Sequence, residues 1–182
     1  MSQKASVEAV QKNQPMVKPR VEKVTVNMAV GKAGEPLERA VKVLQQITGQ
    51  VPSRRKANKT IRDFGIRQGE PMACIVTLRG QIALEFLKKA LQAVGNKLSQ
   101  SRFDQYGNFS FGIREHIEIP GTKYIPELGI FGMNICVTMS RPGQRVSIRR
   151  RRTGKIGTSH RLTRGESIQF IKDLFGTEIG ED

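Results

Sequence analysis

Few side chains in this 182-residue sequence have the types and spacing that bond-making chemistry needs. There are two histidines and two cysteines. His116 stands between Glu115 and Ile117, and neighbours on a strand project to opposite faces, so no acid–base dyad forms within that segment. His160 lies in a basic run with no carboxylate near it in sequence. Cys74 and Cys136 are far apart and belong to no CxxC zinc or redox motif, so both read as reduced thiols. The turn GKAGEP superficially resembles a phosphate-binding loop. It lacks the GxxxxGK[ST] spacing, and Ala33 stands where a magnesium-binding hydroxyl would be. An ordinary strand-to-helix turn explains it. No HExxH, GxSxG or paired-carboxylate arrangement is present. The expectation is a protein that is not an enzyme and uses neither cofactor nor metal.

The chemistry that the sequence does offer is positive charge. Lys and Arg number 31 against 16 acids, for a net charge of +15 and a pI near 10.4. Such an imbalance strains a compact chain unless a polyanion neutralises it. Nucleic acid and an anionic membrane surface are the two candidates. No apolar run approaches the ~18 residues of a spanning helix, and residues 1–20 lack the apolar centre of a signal peptide. The expectation is therefore a cytoplasmic nucleic-acid binder with no membrane partner. The charge is concentrated in two stretches. One carries Arg54, Arg55, Lys56, Lys59, Arg62 and Arg67 against the single acid Asp63. The other, residues 141–164, holds nine basic residues and no acid. A charge run is commonly a solvated tail, but this second one lies between a core strand and a core helix. Anchored at both ends, it repels itself unless phosphates neutralise it.

The elements that must position these groups can be read from periodicity. Residues 1–20 are polar and patternless, an expected basic arm. In VEKVTVNMAVG, Val24, Val26, Met28 and Val30 alternate with Lys23, Thr25, Asn27 and Ala29, the period of a half-buried strand. A helix is predicted from Pro36, with Leu37, Ala40, Val41, Leu44 and Ile47 inward and Gly49 as its stop. Residues 50–57 suit a charged edge strand, and residues 57–67 a loop with Gly65 at its tip. PMACIVTLRG alternates again, with Thr77 and Arg79 outward, and QIALEFLKKALQAVGNKL is an amphipathic helix that extends its apolar face to Leu98. FSFGIREHIEI places Ile117 inward and Ser110, Arg114 and His116 outward, and GMNICVTMS places Asn134, Cys136, Thr138 and Ser140 outward. A last helix begins at a Thr163/Glu166 capping box and packs Ile168, Ile171, Leu174 and Phe175. Residues 177–182 read as a tail.

This order implies an α+β, two-layer sandwich: a mostly antiparallel sheet of about five strands with helices on one face. The uncovered face collects hydroxyls, amides and guanidinium groups. Such a face can simply be solvated, yet small hydrogen-bonding groups also suit ribose hydroxyls and base edges. The charge balance favours RNA. An RNA-modifying enzyme would need an acid–base pair or metal cluster. A DNA-binding regulator would need a recognition helix, whereas all three predicted helices bury their apolar faces.

Four stretches, VEKVTVNMAVGKAG, KANKTIRDFGIRQGEPMACIVTLRG, FDQYGNFSFGIREHIEIPG and FGMNICVTMSRPG, together resemble the universal large-subunit ribosomal protein L-five family. The resemblance covers roughly residues 20–176, and RVSIRRRRTGKIGTSHRLTRGESIQFIKDLFG is similar to its archaeal and eukaryotic cytosolic branch. It implies a ribosomal, non-catalytic protein that holds 5S rRNA in the central protuberance beside the L-eighteen protein. It also implies contact with P-site tRNA and a bridge to the small subunit through the S-thirteen protein. The family's RNA-facing positions fall on Asn27, Gln68, Thr77 and Arg79; Thr25, Arg114 and Asn134 join them from the polar face. At position 134 relatives commonly carry aspartate, which only accepts hydrogen bonds, where the amide here also donates. The tRNA-contacting loop maps onto Lys59, Thr60, Arg62, Phe64 and Arg67. Phosphates of 5S and 23S-type rRNA are expected on Arg145, Arg149, Arg150, Arg151, Arg152 and Lys155. Residues 21–176 would then be one RNA-binding domain.

Overall fold

The alternation of Val24, Val26 and Met28 with Lys23, Thr25 and Asn27 produces the central strand of the molecule. β1 (Arg20–Ala29) buries the three apolar side chains completely and leaves the polar ones partly exposed. The computed structural model describes residues 15–180, so most of the expected basic arm lies outside the described residues. After β1 come α1 (Glu35–Thr48), β2 (Ser53–Lys56), β3 (Pro71–Leu78), α2 (Gly80–Ala93), β4 (Lys97–Ser99), β5 (Phe109–Ile113) and β6 (Met133–Ser140). The single turn α3 (Arg145–Ile148), the longer α4 (Arg164–Phe175) and β7 (Glu178–Gly180) complete the order.

Five strands form one antiparallel sheet in the order β2-β3-β1-β6-β5. This is the α+β architecture expected. α1 packs on β3 and α2 on β1, so Leu37, Leu44, Leu87 and Leu91 meet Val24, Val26, Leu78 and Ile135 in a single core. Each such side chain, fully buried, contributes about 1.5–3 kcal/mol. Glu35 and Glu38 in the first turn of α1 oppose the positive end of its dipole. Gly49 (φ 69°) ends the helix in the left-handed conformation that suits glycine. β2 is a charged, wholly exposed edge, which discourages pairing with another chain.

The structure departs from the expected elements where local period does not control the chain. In α1 the inward positions are Leu37, Ala40, Val43 and Leu44, while Val41 and Ile47 pack only in part. α2 stops at Ala93, because Gly95 (φ 72°) and Asn96 (φ 55°) turn left-handed. Leu98 is buried, but on β4. Residues 178–180, expected in a tail, are β7 and pair in parallel with β4. β5 ends at Ile113, and a 3₁₀ turn at residues 116–118 breaks the strand alternation there. His116 is therefore only 3% exposed, and Ile117 is the half-buried one. On α4 the fully buried positions are Ser167 and Ile171, whereas Leu174 is exposed.

Candidate nucleic-acid interface

The helix-free face of the sheet is a grid whose rows the strand register defines. One row runs Ser53, Ile75, Asn27, Asn134, Gly112; the next runs Thr77, Thr25, Cys136, Ser110. Neighbours in a row stand ~4.5–5.5 Å apart, and rows are ~7 Å apart along the strands. Four expected site residues, Thr25, Asn27, Thr77 and Asn134, thus fall on two adjacent rows. Asn27 directly opposes Asn134, and Thr25 opposes Thr77. A Cβ on Gly112 would lie 3.3 Å from Asn134 Oδ1, so the glycine keeps that amide uncrowded.

Arg79 and Arg114 stand at opposite ends of this grid, beyond β3 and β5. The Arg79 side chain is mostly exposed, with Glu22 3.8 Å away, a separation too long and too wet to hold the guanidinium firmly. Arg114 is exposed. Two residues expected on the platform are not on its surface. His116 turns inward, where its Nδ1 accepts a hydrogen bond from Phe131 N–H (3.3 Å). Burial lowers its pKa below the ordinary value, only partly offset by the Phe131 backbone and Glu115. Ser140, the last residue of β6, is 2% exposed. Conversely, Ser53, Arg55 and Lys23 share the outer side by register. The alternation of β1 and the charged edge strand were the signals that could have added them. Cys136 is a free, exposed thiol, and Cys74 a buried one whose pKa burial pushes up to about 11.

The segment between β2 and β3 is a small hairpin arm. At its base Ala57 N–H donates to Glu70 O (2.8 Å) and Gly69 N–H to Ala57 O (2.9 Å). Further out, Ile61 and Ile66 exchange backbone hydrogen bonds of 2.9 and 3.1 Å around a tip closed by Gly65 at φ 66°. Thr60 Oγ1 accepts from Gln68 N–H (3.0 Å), tying Gln68 to the arm rather than the sheet. Lys59, Arg62, Arg67 and Gln68 are exposed, and Phe64 at the tip is 75% exposed.

The basic segment leaves the sheet at the end occupied by Lys23 and Arg79. Arg145, Arg149, Arg150, Arg151, Arg152 and Lys155 all face solvent. Residues 149–153 close on themselves: Arg149 Nε donates to Arg152 O (2.6 Å), and Thr153 Oγ1 to Arg149 O (2.7 Å). Arg152 takes a left-handed φ of 52°. The turn fans its guanidinium groups outward. Two members of the run have internal duties instead. Arg141 is buried, paired with Glu166 at 2.6 Å and with Ser159 O at 3.3 Å. Arg164 donates to Gln100 O. Glu166 Oε2 also accepts from Thr163 N–H (3.0 Å), so one carboxylate caps α4 and anchors the start of the segment.

Among the described residues, no group of three or more His, Cys, Asp or Glu side chains is placed to hold a metal. No helix among them is long and apolar enough to cross a membrane. What the arrangement can do is bind: a flat hydrogen-bonding grid, a basic hairpin at one edge and a fan of arginines at one end.

The model of the family "Ribosomal protein L5" matches residues 14–67, and the model of that family's C-terminus matches residues 71–170. A protein of Aeropyrum pernix, "Large ribosomal subunit protein uL5", is 54% identical over 166 residues, covering 91% of this chain and 86% of its own. Proteins of the same name from Pyrobaculum aerophilum (49% over 168 residues; 92% and 94%) and Sulfolobus acidocaldarius (48% over 176 residues; 97% and 99%) are similar throughout.

Proposed function

Because the chain belongs to the ribosomal protein L5 family, a structural and non-enzymatic family of the large ribosomal subunit, we propose that its sheet face holds 5S rRNA in the central protuberance. The observation that carries this reading is the pair of rows in which Asn27 opposes Asn134 and Thr25 opposes Thr77. Hydroxyls and amides both donate and accept, so such a grid can meet 2′-hydroxyls and base edges along a shallow RNA groove. Phosphate contacts position an RNA without reading its sequence; groups that reach base edges read it. Arg79, Arg114 and Gln68 frame the platform, and residues 21–176 act as one RNA-binding unit.

The remaining roles are divided by geometry. Arg145, residues 149–152 and Lys155 neutralise phosphates of 5S and 23S-type rRNA. The hairpin arm reaches P-site tRNA: Lys59, Arg62 and Arg67 approach the backbone, Thr60 stiffens the arm, and Phe64 packs on an exposed nucleotide. Proteins L-eighteen and S-thirteen are its neighbours, the latter across a bridge to the small subunit. The test is competition binding at physiological salt, 5S rRNA against an unrelated folded RNA of equal length. Preference for 5S rRNA is the expected result. Equal affinity would leave only a non-specific polycation.

A further inference from the structure

A cavity of about 670 Å³ lies where β6 leaves the sheet, between the end of the platform and the basic segment. Its size falls within the ~300–1,000 Å³ typical of small-ligand sites. Its walls include Ser140, Arg141, Lys155 and Arg161, and among the described residues no aspartate or glutamate lines it. Tyr106, 49% exposed, stands at its edge on the turn before β5. Two polar atoms of these residues, Ser140 Oγ and Arg141 Nε, are sealed behind the lining with no hydrogen-bond partner among the described residues. Both residues are more than nine-tenths buried.

We infer that this cavity receives one extruded nucleotide of the 5S rRNA bound along the sheet. The chemistry selects it. A half-exposed tyrosine ring is a stacking surface for a base, and the exposed Lys155 and Arg161 take the flanking phosphates. The route is continuous with the platform, since Thr138 and Ser140 follow the outer rows of β6 and both line the cavity. The arginines of residues 149–152 lie in the chain between two lining residues, Ser147 and Thr153. RNA elements with splayed bases are recognised in this manner. Occupancy of the cavity rests on the proposed binding of 5S rRNA to the sheet.

The test uses the full chain with a 5S rRNA transcript. Tyr106→Ala should weaken binding roughly tenfold, with an unchanged dependence on salt, whereas Tyr106→Phe should bind like the unaltered protein. Ser147→Trp, which fills the cavity from its exposed lip, should weaken binding comparably. Ultraviolet cross-linking of the complex should yield a Tyr106 peptide carrying a single nucleotide remnant. If Asn27→Ala weakens binding while both cavity variants bind normally and no such cross-link forms, the cavity is not an RNA site and the sheet reading stands. If the unaltered protein shows no preference for 5S rRNA, the sheet reading itself fails. A second arm titrates AMP, GMP, CMP and UMP into the protein alone. Mononucleotide binding lost in Tyr106→Ala, without any RNA cross-link, would make the site one for free nucleotides and overturn the proposal.

Discussion

Replacing residues 149–152 with alanine should change how 5S rRNA binding responds to salt, and the structure sets the size of the change. All of these arginines are exposed, and Arg149 has already given its Nε to Arg152 O, leaving its terminal nitrogens for phosphate. Each phosphate that is no longer neutralised removes ~0.7–0.9 from the slope of log K against log salt. If each of the four arginines meets one phosphate, the slope falls by roughly 3. Across a fourfold rise in salt, from ~50 to ~200 mM, the unaltered protein then loses about 60-fold more affinity than the variant does. Asn27→Ala and Thr77→Ala act differently. They delete neutral hydrogen bonds worth about 0.5–1.5 kcal/mol each, roughly 2- to 13-fold in affinity, and the slope stays where it was. Fluorescence-anisotropy titrations with labelled 5S rRNA at several potassium concentrations separate the two kinds of change. Equal slope changes in both sets of variants would refute the division between a reading face and an electrostatic fan.

Three other outcomes are expected. Replacing residues 58–67 with a Gly-Ser link keeps Gln68 and the hydrogen-bonded base at Ala57, Gly69 and Glu70, so fold and 5S rRNA affinity should persist while ribosomes retain P-site tRNA less firmly. Unaltered tRNA retention in a filter-binding assay would remove the tRNA role from the arm. Glu166→Ala strips a buried guanidinium of its charged partner and α4 of its cap; a loss of about 3 kcal/mol in urea unfolding is expected, and a loss below ~0.5 kcal/mol would show Arg141 to be well solvated. His116 titrates below the ordinary value of 6.5 because the buried imidazole resists charging. The unfolded chain therefore binds more protons, and this contribution to stability, full above pH 6.5, is lost as pH falls from there towards the folded-state pKa. Urea midpoints between pH 7.5 and 5 should fall less steeply for His116→Leu than for the unaltered protein; parallel curves would contradict the burial.

Features that depend only on neighbours a few residues away are legible in the sequence alone. A two-residue period forces Val24, Val26 and Met28 to one side of β1 and Thr25 and Asn27 to the other, wherever the strand ends up. The Thr163/Glu166 box starts α4, Gly49 ends α1, and the density of arginine in residues 141–164 demands a polyanion under any fold. Features that require distant partners were settled by the folded chain. The opposition of Asn27 to Asn134 comes from a register between strands more than a hundred residues apart in sequence, and no local pattern encodes it. A 3₁₀ turn held by Phe131 sends His116 into the interior against the strand alternation. Ser140 continues the polar side of β6, yet it is only 2% exposed. Arg141 belongs by composition to the basic run and by structure to Glu166, 25 residues later. β4 and β7 are each too short to announce themselves and exist only as a parallel pair. Periodicity is a steric property of the backbone and survives in one dimension. Register and burial are settled by hydrogen bonds and packing that close only when the whole chain has folded.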